Sequence, residues 1–297
     1  MPYKYDDAWH RQQRAFIKRK KQSGRVQSRA IDHYPRWLHQ AWELLGEKDP
    51  LSVTLDDMYR LEGTWPIGEN TKSSRLSVVR AFLTDCGNKD AMRWEIRARA
   101  HPKEDRVYLS EEAVADIREA AHQLGWEMEL IYSLGVDNSL RAGDQSRIRL
   151  EEAKQLLWQG QAIITCKGAN GGKRRLLVMS KATREPLKQY LKCRAELVAK
   201  HGHDPGNLLL VEHNGLKNMS AYGVAYRIRQ LSKAVGLRFR SHDLRATFGN
   251  RHWKAGTDIL LIAAMMGHEN PNTTFRCYIG VNQGDQRVAQ DRLSGGL

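Results

Sequence analysis

A stretch in the last fifth of the sequence, residues 241–249, reads S-H-D-L-R-A-T-F-G. Ser241 is a residue type that caps helix N-termini, and the spacing of three residues places His242 and Arg245 on one face of the first helical turn. The free N–H groups and the dipole at a helix N-terminus favour an anion. This stretch therefore predicts a helix that begins with a phosphate-binding face.

The chain that leads into this helix is strongly basic. From His213 to His242 there is no Asp or Glu, but there are six cations, namely Lys217, Arg227, Arg229, Lys233, Arg238 and Arg240. A one-sign surface of this kind matches the phosphate backbone of a nucleic acid. We therefore predict DNA contacts for Arg227, Arg229, Arg238 and Arg240.

The whole chain carries the same charge sign. Its 297 residues include 48 Lys or Arg against 34 Asp or Glu, a net charge of +14, while 41% of residues are hydrophobic. That composition is typical of a folded protein that binds polyanions. A second basic cluster lies near the N-terminus and predicts further DNA contacts, at Lys18, Arg19, Lys20, Lys21 and Arg25.

A membrane location is disfavoured, because no apolar stretch approaches the 18 or so residues of a spanning helix. The first seven residues also carry charges and aromatic rings where a signal peptide would be apolar. We expect a cytoplasmic, nucleoid-associated protein. The four cysteines, Cys86, Cys166, Cys193 and Cys277, are far apart, so reduced thiols are expected.

The hydrophobic periodicity predicts a mainly α fold with a small β-sheet. Residues 1–88 have the pattern of an all-α N-terminal domain of about four helices, and residues 89–105 have the composition of a basic linker. Residues 106–297 then form an α+β domain. Two β-prone runs in it, Ala162–Cys166 and Leu176–Met179, predict a hairpin with a cationic tip, and Lys173, Arg174 and Arg175 are expected to contact DNA there.

Two further motifs flank the helix at 241–249. Residues 139–144 read S-L-R-A-G-D, and residues 265–281 read M-M-G-H-E-N-P-N-T-T-F-R-C-Y-I-G-V. With His242 and Arg245, these motifs resemble the tyrosine recombinase family, which includes phage integrases and Xer-type proteins. The resemblance extends from about Ser110 to Val281 of this chain. The resemblance implies a catalytic set formed by Arg141, Lys167, His242, Arg245, His268 and Tyr278.

In that resemblance, Tyr278 is the nucleophile that forms a 3′-phosphotyrosine bond with DNA. Arg141 and Arg245 neutralise the phosphate, since two guanidiniums supply permanent charge in a bidentate geometry. Lys167 is the general acid for the leaving 5′ oxygen, His242 accepts the phenolic proton or orients the phosphate, and His268 holds a nonbridging oxygen. Residues 1–88 correspond to the helical, SAM-like core DNA-binding domain, and residues beyond Tyr278 to a C-terminal tail.

The resemblance also implies the partners. These are double-stranded DNA with a specific core site and further copies of the chain, four to a complex, and accessory proteins are an option that the sequence leaves open. With two arginines at the phosphate, neither a metal nor a cofactor is expected. His201, His203 and His213 fall in a loop rich in Gly, Pro and Asn without carboxylate support, which also disfavours a metal site.

Three features depart from the family pattern. Ser139 stands where the family favours Gly, Asp144 where it has Glu, and His268 and Tyr278 are ten positions apart where nine is usual. Lys173 competes with Lys167 for the role of general acid, because both flank the same turn. A type IB topoisomerase and a catalytically decayed DNA-binding protein remain the alternative functions.

Overall fold

The computed structural model describes residues 6–23, 28–97, 108–166, 173–268 and 270–278. The described elements fall into two compact units, with α1–α6 in the first and α7–α15 and both sheets in the second. The mainly α fold with little β-structure is confirmed. Lys167, Arg25 and the tail after Tyr278 lie outside the described residues.

The first unit is entirely helical in its described part. Its core contains Trp9, Leu38, Trp42 and Phe82, all buried. Thr54 caps α4 in a reciprocal arrangement with Asp57. Its helices are α1 (Ala8–Gln22), α2 (Ser28–Ile31), α3 (Tyr34–Leu44), α4 (Leu55–Thr64), α5 (Glu69–Asp85) and α6 (Lys89–Arg93).

The structure differs from the predicted linker at its N-terminal end. The charge pattern places the start of a linker at residue 89, but Lys89–Arg93 forms α6, which Asn88 caps. Ala91 and Trp94 are fully buried in the core of the first unit. The two buried residues Ala91 and Trp94 are too few to produce a periodic hydrophobic pattern. The charged residues therefore determine the linker prediction for this segment.

The second unit is built around α8, whose residues from Met128 to Val136 are all buried. Gly135 lets α13 approach closely, because a Cβ at this position would lie 2.9 Å from a methyl carbon of Leu244. The helices are α7 (Glu111–Gln123), α8 (Trp126–Val136), α9 (Ala142–Gln145), α10 (Leu150–Gln159), α11 (Lys181–His201), α12 (Ala221–Ala234), α13 (Ser241–Lys254), α14 (Ile259–Met266) and α15 (Pro271–Tyr278). This packing fixes the position of Arg245, the residue after Leu244.

Each of the two sheets is a two-stranded antiparallel hairpin. Strands β1 (Gln161–Cys166) and β2 (Lys173–Val178) pair with Cys166 opposite Lys173. The second strand therefore begins three residues before the predicted Leu176, because its first residues are cations that mask the β pattern. The other hairpin, β3 (Leu210–Glu212) and β4 (Leu216–Asn218), falls where the sequence suggested only a loop.

No helix in the described ranges has the length and apolar character needed to cross a membrane. Cys86, Cys166 and Cys193 are free thiols. Burial raises the pKa of the Cys86 thiol to about 12, so it stays protonated at neutral pH.

Candidate active site

Arg245 is the most deeply buried charged group of the second unit's predicted site. Its side chain is fully buried, and its guanidinium donates to the backbone carbonyl of Ser139 at 2.5 Å and to that of Met266 at 2.6 Å. These hydrogen bonds join the loop before α9 to the end of α14. Charged donors of this kind are among the stronger hydrogen bonds in proteins, so the guanidinium is held in place.

Helix α13, which carries Arg245, begins differently from the prediction. The N-cap is Arg240, and Asp243 accepts from its backbone N–H at 2.8 Å. The predicted cap, Ser241, is instead the first helical residue. His242 lies in this first turn and is exposed, three residues before Arg245.

His268 directly contacts Arg245. Its Nε2 lies 2.7 Å from the guanidinium, and its Nδ1 lies 2.7 Å from the hydroxyl of the buried Thr274 on α15. Because a guanidinium can only donate, Nε2 accepts, and the proton of the neutral ring resides on Nδ1. Burial and then the charges of Arg245, Arg141, Arg175 and His242 lower the pKa of His268 to about 3.

Arg141 is the arginine that solvent reaches. It is the N-cap residue of α9, 39% of its side chain is exposed, and its guanidinium lies 3.7 Å from the buried carboxylate of Asp144. The backbone of Ser139, two residues earlier, has a φ of +55°. Glycine adopts this left-handed conformation without cost, which gives a physical reason for the Gly that the family resemblance implies at this position.

The β1–β2 hairpin ends beside the same group of charges. The pKa of Cys166, the last residue of β1, is raised by burial and by Asp144, and lowered in part by Arg175, Arg141 and Arg245. Lys167 follows Cys166 in the sequence but lies outside the described residues, and the description of Lys173 is limited to its backbone. Both candidate general acids are thus adjacent to Cys166, one by sequence and one by strand pairing.

Tyr278 is the last residue of α15, and only its backbone is described. Thr274 lies four residues earlier, so positions 274 and 278 share one face of the helix. His268 therefore links the helix that carries position 278, through Thr274, to Arg245.

Comparisons with known proteins agree with this arrangement. Residues 107–284, well over half of the chain, match the Phage integrase family. The chain belongs to the phage integrase family. This confirms the resemblance that the motifs around Arg141, His242 and His268 carry.

Individual relatives of this integrase family chain are distant. Tyrosine recombinase XerA of Pyrococcus horikoshii is 26% identical over 58% of this chain and 56% of that protein. Transposase A from transposon Tn554 of Staphylococcus aureus is 24% identical over 65% of this chain and 53% of that protein. The chain thus spans about half the length of these relatives.

The fold is shared more widely than the sequence. The structure of the Tn1549 transposon integrase in complex with transposon right end DNA superposes with a TM-score of 0.73 over 96% of this chain and 99% of that chain, at 16% identity. The two-unit architecture of this integrase family chain therefore has an experimental counterpart.

The predicted DNA-contact residues of this integrase family chain have different environments. Arg229, Arg238 and Arg240 are exposed, whereas Arg227 donates to Glu127 at 2.6 Å. In the first unit, Lys18 is exposed, Arg19 pairs with Asp85, Lys20 lies 5.1 Å from the ring centre of Phe16, and Lys21 lies 3.6 Å from Asp32. In β2, Arg174 is exposed, but the guanidinium of Arg175 is buried.

Three contributors to the site were not predicted from the sequence, namely Thr274 and the backbone carbonyls of Ser139 and Met266. Thr274 lies in a run of polar residues, N-P-N-T-T, where nothing distinguishes it from Thr273. A backbone carbonyl has no sequence signature at all. The inward position of Arg175 has a sequence signal, because Arg175 and Leu177 are two residues apart and so lie on the same face of a strand. That signal can be interpreted only once the bounds and register of β2 are known.

Among the described residues, no group of three or more His, Cys, Asp or Glu side chains has an arrangement suited to a metal ion. The metal-free chemistry predicted from the two arginines therefore remains a prediction for experiment.

Proposed function

We propose that this chain is a site-specific DNA recombinase or integrase that cleaves and rejoins DNA strands through a 3′-phosphotyrosine bond on Tyr278. The observation that supports this most strongly is the direct contact of Arg245 with His268 in a group that includes Arg141 and His242. These four residues come from three separate segments of the chain, and they are the residues that the family motifs assign to catalysis.

The two arginines account for the absence of a metal from the proposed chemistry. Attack on a phosphodiester adds negative charge to the nonbridging oxygens, and fixed positive groups that are already in place stabilise that charge. Arg141 is partly exposed and available to a phosphate, while Arg245 supplies a fixed charge to the same centre. Because arginine side chains stay protonated at working pH, the two guanidiniums can supply this positive charge without a metal ion.

In the cleavage step, the phenolic oxygen of Tyr278 forms a bond to the scissile phosphorus, and the bond to the 5′ oxygen breaks. His242 takes up the phenolic proton, and Lys167, or its rival Lys173, protonates the departing 5′ oxygen. Rejoining reverses each transfer with a 5′ hydroxyl of the new strand as nucleophile, so the phosphotyrosine stores the energy of the original ester. No external energy source is required.

The partner in this proposal is double-stranded DNA with a specific core site, bound by four copies of the chain. The exposed cations Arg229, Arg238 and Arg240 support DNA binding. The related Tn1549 integrase was solved with DNA bound. The cytoplasmic, nucleoid-associated location follows from this substrate and remains a prediction.

A nicked suicide substrate tests the proposal, because loss of a short fragment after cleavage traps the covalent complex on a denaturing gel. We expect a covalent band with the wild type in excess EDTA, none with Tyr278→Phe, and a wild-type yield with Tyr222→Phe, whose ring is 68% exposed. Cleavage that needs magnesium would instead indicate a metal-dependent nuclease.

The same assay separates the alternatives. A decayed DNA-binding protein would bind the substrate without forming any covalent band. A type IB topoisomerase would form the band but would relax supercoiled plasmids that contain no core site. The proposed recombinase is expected to exchange strands only between DNA molecules that both carry the site.

A further inference from the structure

Arg175 differs from the two cations before it in β2. It pairs with Ile164 of β1 and alternates with Leu177, and both of these side chains are buried, whereas Arg174 and Leu176 on the other face are exposed. All three guanidinium nitrogens of Arg175 are buried, and none has a hydrogen-bond partner within the part of the chain that the structure describes. A cation that tracks the DNA backbone would lie on the exposed face.

The guanidinium of Arg175 lies against the residue before His268. A Cβ placed on Gly267 would be 2.7 Å from Nη1 of Arg175 and 2.9 Å from its Cδ, so a larger residue at position 267 would displace the Arg175 side chain. Gly267 also has a φ of +67° and ends α14. Arg175 therefore packs directly on the turn that carries His268.

The charges around this turn are unbalanced in the described residues. Cys166 is influenced by three guanidiniums, those of Arg175, Arg141 and Arg245, and by one carboxylate, that of Asp144. Burial lowers the pKa of Arg175, and the carboxylate of Asp144 offsets this only in part. A buried charge without a hydrogen-bond partner is costly.

A phosphodiester has one negative charge, and the pentacoordinate phosphate formed by attack of a tyrosine has two. Among the described residues, these three guanidiniums and one carboxylate leave two positive charges, and a protonated Lys167 would add a third. This positive surplus gives the guanidinium of Arg175 a role during cleavage that it lacks in the protein alone.

We propose that Arg175 is a positioning residue of the cleavage centre and does not bind the DNA backbone. Its buried charge supports the Gly267–His268 turn and stabilises the negative charge that develops on the phosphate. This rests on the proposed function. It assigns Arg175 a role apart from that of Lys173 and Arg174, with which the sequence grouped it.

The test compares Arg175→Met, which keeps the length of the side chain and removes its charge, with Arg174→Gln on the exposed face. For Arg175→Met we expect single-turnover cleavage of the suicide substrate at saturating protein to fall at least about tenfold. DNA affinity should be unchanged, and Tm should equal or exceed that of the wild type, because an unpaired buried charge has been removed. Arg175→Lys should recover part of the rate.

For Arg174→Gln we expect weaker DNA binding, the effect that Arg175→Met should lack. If Arg175→Met also weakened binding and kept the wild-type rate, Arg175 would be a backbone contact and the inference would be wrong. A lower Tm, with the rate restored on cooling, would show a purely structural role. A wild type that forms no covalent complex would contradict the proposed function instead, while the Tm comparison would still report on the unpaired charge.

Discussion

Nε2 of His268 accepts a hydrogen bond from the guanidinium of Arg245 at 2.7 Å. The contact fixes the imidazole in its neutral form, because protonation would place two donors against each other. In this structure both ring nitrogens are engaged by the protein, through Arg245 and Thr274. His268 therefore holds Arg245 and the helix that ends at Tyr278 in position.

The first prediction concerns stability against pH. The pKa of His268 is lowered to about 3 in the folded protein, so the unfolded chain takes up this proton first as pH falls. The stability that the neutral ring contributes is present above the ordinary histidine pKa of about 6.5 and is lost progressively toward pH 3, with a slope of at most about 1.4 kcal/mol per pH unit.

Urea unfolding of the wild type and of His268→Gln between pH 7.5 and 5 measures this contribution. The glutamine amide retains an acceptor for Arg245 but does not titrate. We expect the free energies of unfolding of the two proteins to converge as the pH falls. Parallel curves would contradict the assigned protonation state.

A second prediction decides between Lys167 and Lys173. A general acid matters only while the leaving group needs a proton, and a bridging 5′ sulfur leaves without one. We expect Lys167→Ala to be inactive on ordinary DNA but active on the 5′-phosphorothiolate substrate, and Lys173→Ala to lose mainly affinity. Rescue of Lys173→Ala alone would reverse the assignment.

A third prediction uses two neighbouring cations on α12. Arg229 is exposed, whereas Arg227 already pairs with Glu127 at 2.6 Å. If Arg229 contacts a phosphate, Arg229→Gln should reduce the slope of log affinity against log salt by about one. Arg227→Gln should change it less, because its charge is already compensated. Equal changes in fluorescence-anisotropy titrations would argue against a contact specific to Arg229.

The fourth prediction follows from the backbone of Ser139. Its left-handed conformation costs a non-glycine residue about 1 kcal/mol, and its buried hydroxyl has no hydrogen-bond partner among the described residues. Ser139→Gly should therefore raise the free energy of unfolding by about 1 kcal/mol. Ser146→Gly is the matched control, since Ser146 has an ordinary φ of −66° and should lose stability. A decrease at both positions would show that the strain at Ser139 is negligible.

The motif residues of the site could be predicted from sequence because each is fixed by a short local pattern. His242 and Arg245 share one helical turn, and His268 follows the glycine that ends α14. The helical character of the first unit was likewise readable from local spacing.

What sequence could not predict depends on contacts between distant segments. The burial of Arg175 depends on its register with Ile164 across the hairpin. The N-cap at Arg240 is favoured over Ser241 because Asp243 reaches back to the Arg240 amide. The link from His268 to Thr274 requires α15 to fold back against the end of α14.

The guanidinium of Arg245 connects the carbonyl of Ser139 with that of Met266, two positions far apart in sequence. Neither segment can open to solvent without breaking a hydrogen bond to the same buried charge. The loop before α9 and the end of α14 should consequently exchange their amide protons as one cooperative unit. Local opening at either segment would then release Arg245 from the other, so the amides of both segments are expected to report the same free energy of opening.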